Sequence, residues 1–449
     1  MKHLMNLLDT FRLRSLALAA ICAAVPALAQ TPATSPFPSP APAAQPEAVP
    51  IPAAAPASAA PQAAAPKPKR KAAPPLAARL PDDPRPTLTP ETLAATTRAA
   101  ARYRAIVQAG GWPQAQAASP GAKGKAVATL KQRLKIEGDL TQADAAGEDY
   151  NAALAAAVKS FQKRHLLPQT GAVAGATLAA MNVSADVRAR QLEAAAGRLS
   201  TSAFPFGPRY VVVNIPSASV EAVENGAIKR RYIAVAGKPD RASPAVETRV
   251  TAVNFNPAWT VPVSIIKKDI IPKMRKDPGY LAKANIRILD GGGNEVSPKA
   301  IDWTTERAAA YTLRQDSGAR NALGQIRIDM PNSLAVYMHD TPSKRLFASA
   351  ERFHSSGCVR VDGVRDLATW LLSERGGWDR PATDKAIAEE DFKTVRLARP
   401  VPVAWVYLTG FATPDGAAHF RNDVYELDTK GLQPGQPLQA RALPAGSLY

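Results

Sequence analysis

Apolar residues follow a helical period in the first half of the chain. Residues 127–134 carry large apolar side chains three or four positions apart, and residues 151–165 place Leu154, Val158 and Phe161 on one face of a helix. Each of these helices has one apolar face, which must pack against another element to be stable. The pattern therefore predicts a small helical bundle.

The second half of the chain contains short runs of β-branched and aromatic residues. These runs span residues 210–215, 231–236, 249–255, 334–338 and 402–408. Short strands at such spacing predict a mainly antiparallel sheet or sandwich. An isoleucine-rich segment at 264–284, interrupted by Pro272 and Pro278, predicts a helical insertion within the β-rich part. The expected fold class is multi-domain α+β, with a small helical module and a mainly β domain that carries a helical insertion.

The first 29 residues have the organisation of a secretory signal peptide. Lys2, Arg12 and Arg14 form a positive start, an apolar run follows, and residues 27–29 (Ala-Leu-Ala) are a small-x-small cleavage signal. The apolar run is shorter than the roughly 20 residues that span a bilayer. We therefore expect export to the periplasm or cell wall and no stable membrane span after cleavage, with an uncleaved anchor as the alternative.

A segment rich in proline and alanine follows. Residues 31–90 contain 18 of the 41 prolines, and such a composition cannot bury enough apolar surface to fold. The predicted organisation is a signal peptide at 1–29, a disordered linker at 30–90, a helical region at 91–190 with a compact module at about 110–185, a β-rich domain at 205–430 with its insertion at about 263–325, and a tail at 431–449.

The chain is strongly basic, with 56 Lys and Arg against 38 Asp and Glu and a net charge of +18. A basic exported protein can bind membrane headgroups, nucleic acid or an anionic wall polymer. Export and the lack of a zinc-finger spacing or an aromatic-interleaved basic stripe disfavour nucleic acid. Two cysteines exclude a disulfide-rich scaffold, and with five scattered histidines they provide no recognisable ligand set, so we expect no metal and no cofactor.

One cysteine is a candidate nucleophile. Loss of the signal peptide removes Cys22 and leaves Cys358 as the single thiol. A lone cysteine is often a small buried hydrophobe, but Gly357 allows close approach of a substrate to the backbone. A nucleophilic thiol needs a base, and His339 lies 19 residues upstream at the end of a predicted strand. His354 is the rival base.

Two motifs resemble the L,D-transpeptidase family. Residues 337–342 (Tyr-Met-His-Asp-Thr-Pro) and 353–361 (Phe-His-Ser-Ser-Gly-Cys-Val-Arg-Val) resemble its YkuD-type catalytic domain, in the long multi-domain branch. The resemblance extends from about residue 209 to 428. Ser356 stands where the commoner family pattern has histidine, as it does in the long branch, and His354 is not assigned that role.

The helical module also resembles a known family. Residues 130–134, 157–165 and 171–178 resemble the peptidoglycan-binding type-one module, although Leu166 replaces the glycine that usually follows the histidine. The two resemblances imply that the partners are the stem peptides and glycan of peptidoglycan, and they leave protein partners unidentified.

The resemblance implies roles for individual residues. Cys358 is the expected nucleophile and His339 the expected general base. The expected oxyanion and support residues are Ser356, Gly357 and Asp340. The expected substrate contacts are Arg360, Tyr337, Trp259 and Asn256. A loop-stabilising salt bridge for Arg360 and core packing for the aromatic residues remain alternatives.

The implied reaction is acyl transfer from a tetrapeptide stem. The terminal D-Ala leaves, and the third residues of two stems become cross-linked during cell-wall biogenesis. The alternatives are an L,D-carboxypeptidase or cross-link hydrolase of the same fold, and a non-catalytic peptidoglycan-binding protein. Serine transpeptidase chemistry is disfavoured, because the Ser-x-x-Lys matches at Ser160 and Ser264 have no accompanying Lys-Thr-Gly.

Overall fold

The computed structural model describes residue 80 and residues 83–428. The predicted signal peptide and the predicted tail at 431–449 lie outside the described residues, as does most of the predicted linker. Within the described part of the chain, no helix is both long enough and apolar enough to cross a membrane.

The first described part is helical. Its helices are α1 (Thr92–Gln108), α2 (Lys125–Glu137), α3 (Ala152–Arg164), α4 (Gly175–Met181) and α5 (Ala185–Leu199). Leu154, Val158 and Phe161 are fully buried, as their spacing predicts. The side chain of Asn151 accepts a hydrogen bond from the Leu154 N–H at 2.9 Å, which caps the start of α3. The α2–α4 cluster forms its own apolar core.

The second part is built on strands. The strands are β1 (Arg209–Asn214), β2 (Ser219–Glu224), β3 (Ala227–Gly237), β4 (Val246–Phe255), β5 (Trp259–Thr260), β6 (Ile286–Leu289), β7 (Thr312–Gln315), β8 (Ile326–Asp329), β9 (Met338–His339), β10 (Phe353–Ser355), β11 (Val359–Val361), β12 (Lys393–Val406), β13 (Gly410–Ala412) and β14 (Ala418–Phe420). The helices of this part are α6 (Val263–Ile265), α7 (Ile271–Lys276), α8 (Tyr280–Lys283), α9 (Val364–Leu372) and α10 (Arg380–Ala388).

Nine strands form one sheet in the order β10-β3-β11-β9-β8-β4-β12-β1-β2. Strand β2 also pairs with β3, so the sheet closes into a ring around an apolar core. Most neighbouring pairs are antiparallel, and the pairs β1–β12, β3–β10 and β9–β11 are parallel. The predicted fold class, a helical module followed by a mainly β domain with an insertion, is confirmed.

The insertion contains both helices and strands. Helices α6, α7 and α8 pack with the three-stranded sheet β5-β7-β6 around a separate apolar core. The sequence pattern predicted the helical part of this region and missed the sheet. Its strands have two to four residues each, too short to show a clear alternation.

One predicted strand is wrong over most of its length. Of residues 334–338, only Met338 is in a strand. Asn332 bends the preceding backbone into a turn, because its side chain accepts the N–H of Leu334 at 3.0 Å and donates to the carbonyl of Val336 at 2.8 Å. Ala335 has a φ of +52°, which a strand cannot contain.

The final residues of the predicted linker lie against the sheet. The N–H and hydroxyl of Thr87 both donate to the buried carboxylate of Glu221 at 2.8 Å. The carbonyl of Pro84 accepts the N–H of Ile228 at 2.8 Å, and Leu88 is 2% exposed. These residues are held against the sheet because a buried carboxylate needs donors and Leu88 joins an apolar cluster.

The helical part packs on the β13–β14 hairpin. Arg164 donates to the carbonyl of Ala418 at 2.6 Å, and Gln191 donates to the carbonyl of Arg421 at 2.9 Å. The rings of Tyr103 and Phe420 meet edge to face at 5.4 Å. The two parts therefore share a buried contact as well as a chain connection.

Candidate active site

Two neighbouring parallel strands bring the predicted catalytic residues together. His339 on β9 lies opposite Arg360 on β11. Side chains two positions apart on a strand point to the same face. Tyr337 therefore shares a face with His339, and Cys358, which directly precedes β11, shares it with Arg360. As a whole residue, Cys358 is partly exposed.

The imidazole of His339 is held in one tautomer. Its Nδ1 lies 2.5 Å from the carbonyl oxygen of Asp340. A carbonyl only accepts hydrogen bonds, so Nδ1 carries the proton and Nε2 keeps a free lone pair. The carboxylate of Asp340 is itself fixed, because it accepts the Gln325 N–H at 3.1 Å and pairs with Lys344. The fixed position of Asp340 therefore holds the orientation of the His339 imidazole through its carbonyl.

Burial keeps both reactive groups neutral. It is the main cause that lowers the pKa of His339 to about 3, with the positive charge of Arg360 acting in the same direction. Burial also raises the pKa of Cys358 to about 11, against hydrogen bonds from Tyr337 and the charges of Arg360 and Arg327. The resting pair is therefore a thiol and an imidazole rather than an ion pair.

Tyr337 connects the thiol to the insertion. Burial raises the pKa of its hydroxyl, and the side chains of Cys358 and Trp259 lie close enough to shift that pKa as well. Trp259 lies on β5, within the insertion. The ring of Tyr337 also meets the ring of His339 edge to face at 5.7 Å, and the guanidinium of Arg327 lies 5.5 Å from its centre. These contacts form one wall of the site.

Arg360 carries a positive charge on the nucleophile's face. Its Nε has no hydrogen-bond partner, and no carboxylate lies within ion-pair distance of it among the described residues. Burial lowers the pKa of its guanidinium. The loop-stabilising salt bridge considered for Arg360 is not found in the described part of the chain, which leaves the side chain able to bind an anionic group.

Two other candidates have hydrogen bonds that do not involve the thiol. Asn256 is buried, and its amide donates to the carbonyls of Ala386 and Ile387 at 3.1 Å, where it caps the end of α10. This structural role does not support the predicted substrate contact. His354 is exposed on β10 and has its Nε2 2.8 Å from the Glu351 carbonyl.

The turn before the nucleophile has a defined hydrogen-bond pattern. Ser355 Oγ accepts the N–H of Gly357 at 3.2 Å and donates to the carbonyl of Cys358 at 2.5 Å. Gly357 has a φ of +119°, a conformation that only glycine adopts readily. The N–H of Gly357 is therefore engaged, whereas those of Ser356 and Cys358 have no partner in the described structure. Sequence reasoning placed Gly357 among the oxyanion donors and missed Ser355.

Comparison with known proteins matches both parts of the chain. Residues 208–403 match the YkuD family, the L,D-transpeptidase catalytic domain, and residues 123–181 match a "Putative peptidoglycan binding domain". A Haemophilus influenzae protein described as "Putative L,D-transpeptidase" is 35% identical over 219 residues, which is 49% of this chain and 44% of that protein. The chain thus covers less than half the length of that relative.

Solved L,D-transpeptidases also show similarity. One from Xylanimonas cellulosilytica is 16% identical, with 66% of this chain and 99% of that chain covered and a TM-score of 0.22. One from Stackebrandtia nassauensis is 14% identical, with 66% and 97% covered and a TM-score of 0.25. Residues 208–403 therefore match a YkuD-type L,D-transpeptidase catalytic domain, and the match to a peptidoglycan-binding domain lies before them in the chain.

Proposed function

We propose that this protein is a peptidoglycan L,D-transpeptidase that works as a cysteine acyltransferase. The observation that carries the proposal is that Cys358 directly precedes β11, and that β11 pairs with β9, the strand that carries His339, within the matched domain. The Asp340 carbonyl holds Nδ1, so Nε2 of His339 is free to take a proton. We also propose export to the periplasm or cell wall, where the substrate lies.

The first half-reaction forms a thioester. Sγ of Cys358 attacks the carbonyl carbon of the L,D peptide bond after the third residue of a tetrapeptide stem, and its proton passes to Nε2 of His339. The carbonyl oxygen becomes an oxyanion, which the N–H groups of Ser356 and Cys358 stabilise. The C–N bond then breaks, and the amine of D-Ala leaves with the proton from the imidazolium.

The second half-reaction resolves the thioester. The side-chain amine on the third residue of another stem attacks the same carbon and gives its proton to Nε2. The C–S bond breaks, the sulfur recovers the proton, and the two stems are joined. Water in place of the amine would give a tripeptide and make the enzyme a carboxypeptidase. One amide replaces another, so the reaction consumes no cofactor.

The pKa values define the resting state from which the reaction starts. His339 stays neutral at ordinary pH, so it is available as a base without prior deprotonation. Cys358 stays protonated until a substrate is in place, which protects the thiol from unproductive chemistry. The unpaired guanidinium of Arg360 is placed to bind a carboxylate of the stem.

Incubation with a purified disaccharide-tetrapeptide tests the proposal. We expect the wild type to release D-Ala and give a cross-linked dimer, detected by mass, and Cys358→Ala and His339→Gln to give none. His354→Gln is the matched control and should retain the dimer. Tripeptide alone would indicate a carboxypeptidase, no change would indicate a binding protein, and a dimer from Cys358→Ala would refute the assigned nucleophile.

A further inference from the structure

The turn that carries the nucleophile is held by the connection between β3 and β4, residues 238–245. The N–H of Lys238 donates to the carbonyl of Ser355 at 3.1 Å. The hydroxyl of Ser243 donates to the carbonyl of Gly357 at 2.7 Å. Two carbonyls of the turn are thus fixed from one side by a segment more than a hundred residues earlier in the chain.

Fixing these carbonyls also fixes the N–H groups that follow them. A trans peptide unit is planar, and its C=O and N–H point in opposite directions. Because the Gly357 carbonyl points at Ser243, the N–H of Cys358 points away from the 238–245 segment. The same holds for the Ser355 carbonyl and the N–H of Ser356. These are the two N–H groups of the turn that have no partner among the described residues.

Ser243 is itself clamped. Its Oγ accepts the N–H of Gly237 at 2.8 Å, and its own N–H donates to the hydroxyl of Tyr425 at 3.2 Å. That hydroxyl donates in turn to the carbonyl of Gly237 at 2.6 Å. Ser243 is 4% exposed and Tyr425 is 7% exposed, so water does not replace these bonds easily.

We propose that Ser243, held by Tyr425, is a positioning residue for acyl transfer. It sets the plane of the Gly357–Cys358 peptide so that the Cys358 N–H faces the oxyanion. Ser243 does not touch the substrate, and its effect passes through the backbone. The inference rests on the proposed acyl-transfer function. Oxyanion donors act at about 2.7–3.1 Å from the oxyanion, so a peptide plane that is free to rotate loses much of its effect.

Two reactions of the Cys358 thiol distinguish a positioning role of Ser243 from a general effect on the stability of the fold. Acylation by p-nitrophenyl acetate passes through an oxyanion, and it can be followed by the release of p-nitrophenolate after subtraction of a Cys358→Ala blank. Alkylation by iodoacetamide displaces iodide from carbon and forms no oxyanion. In Ser243→Ala we expect the acylation rate to fall about 10- to 100-fold and the alkylation rate to change less than about twofold.

Ser217→Ala is the matched control. Ser217 is also buried, and its hydroxyl accepts hydrogen bonds from Asn214 and Arg421, outside the nucleophile turn. It should leave both rates unchanged. Tyr425→Phe removes the clamp while keeping the ring, and should lower acylation in the same selective way if Ser243→Ala does not fold.

The outcomes are distinct. Unchanged acylation in Ser243→Ala would overturn the inference, and so would a parallel fall of acylation and alkylation, which indicates a disordered turn. If the wild type reacts with the ester and not with a tetrapeptide stem, the proposed function fails, while a selective loss in Ser243→Ala still supports the positioning role.

Discussion

Arg241 joins the insertion to the nucleophile turn through Asp269. Its Nη2 donates to Oδ1 of Asp269 at 3.0 Å, and its Nη1 contacts the other carboxylate oxygen. The same Nη1 donates to the hydroxyl of Ser356 at 3.1 Å, two residues before the nucleophile. A planar guanidinium can hold a carboxylate on two donors and keep a fixed direction toward a third group. One side chain therefore links the two parts of the site.

Weakening this link should change which acceptor resolves the thioester. In Asp269→Asn the insertion loses its ion pair with Arg241, which weakens its link to the nucleophile turn, so water competes better with the acceptor amine. We expect the ratio of tripeptide to cross-linked dimer to rise severalfold, measured by mass from the disaccharide-tetrapeptide. Asp240→Asn is the control. The Asp240 side chain is 66% exposed, and its carboxylate oxygen lies 3.8 Å from Arg241 Nε, which is longer than a hydrogen bond. Equal ratios in the two variants would contradict the coupling.

In the substrate-free enzyme, the alkylation rate of Cys358 should depend on pH as expected for a neutral thiol beside a neutral imidazole. The pKa of Cys358 is about 11 and that of His339 about 3, so at any pH between these values the sulfur keeps its proton and the imidazole lacks one. At pH 8 only a small fraction of the thiol is ionised. We expect the iodoacetamide alkylation rate to rise roughly tenfold per pH unit from pH 6 to 9.

A thiolate–imidazolium pair would behave differently. In such a pair the thiol has a low pKa, so the thiolate is already formed above that low pH. The alkylation rate would therefore be constant between about pH 5 and 8. The rate profile of the wild type, measured with Cys358→Ala as the blank, distinguishes the two. A plateau in that range would show that the substrate-free site holds an ion pair.

Short-range patterns in the sequence predicted the parts of the fold that depend on neighbours in the chain. The spacing of Leu154, Val158 and Phe161 predicted α3, because side chains three or four positions apart lie on the same face of a helix. Cys358 and His339 were identified from residue type and resemblance, and β9 and β11 bring them together as neighbours in the sheet. These features can be predicted from short stretches of sequence without knowing the contacts made by the rest of the molecule.

The parts that could not be predicted depend on distant contacts. Nothing near Ser243 in the sequence shows that its hydroxyl meets the carbonyl of Gly357, 114 residues later. Asn256 is polar and close to Trp259 in the sequence, but its amide donates a hydrogen bond to the carbonyl of Ala386, 130 residues later. The failed strand at 334–338 had the right composition, and one side chain, Asn332, turned the backbone away. These outcomes follow from tertiary contacts rather than from local preference.

Gly237 should not tolerate a side chain. A Cβ at this position would lie 2.3 Å from the Arg241 carbonyl and 2.5 Å from the Ser243 nitrogen, and both are backbone atoms that cannot rotate away. Gly237→Ala must therefore displace the 238–245 segment, and we expect a lower melting temperature and at least a tenfold slower ester acylation. Gly226→Ala is the control, since a Cβ there meets nothing within 4 Å.

The control variant Gly226→Ala is itself expected to lose stability, so the two variants are compared by their acylation rates. Gly226 has a φ of +78°, so alanine is strained there by roughly 1 kcal/mol although space is available. Both variants should lose some stability, and only Gly237→Ala should lose acylation. Normal acylation in Gly237→Ala would show that the 238–245 segment does not set the geometry of the nucleophile turn.

Arg164 should stabilise the packing of the helical part on the β13–β14 hairpin. Its guanidinium forms a buried ion pair with Asp139 and donates to the Ala418 carbonyl at 2.6 Å, and the side chains of the pair are 10% and 5% exposed. Replacing Arg164 with Gln leaves the Asp139 carboxylate buried without its cation, which costs about 3–5 kcal/mol. We expect faster native-state hydrogen exchange of the α3 amides.

Arg104→Gln is the matched control for this variant. Arg104 also donates to a carboxylate, that of Glu193, but the side chains of that pair are 37% and 42% exposed. Water and salt screen an exposed pair, so its loss should leave the exchange of the α3 amides unchanged. If the two variants exchanged at the same rate, the buried pair would contribute no more than a surface one, and the docking of the helical part would rest on its apolar contacts, such as that between Tyr103 and Phe420.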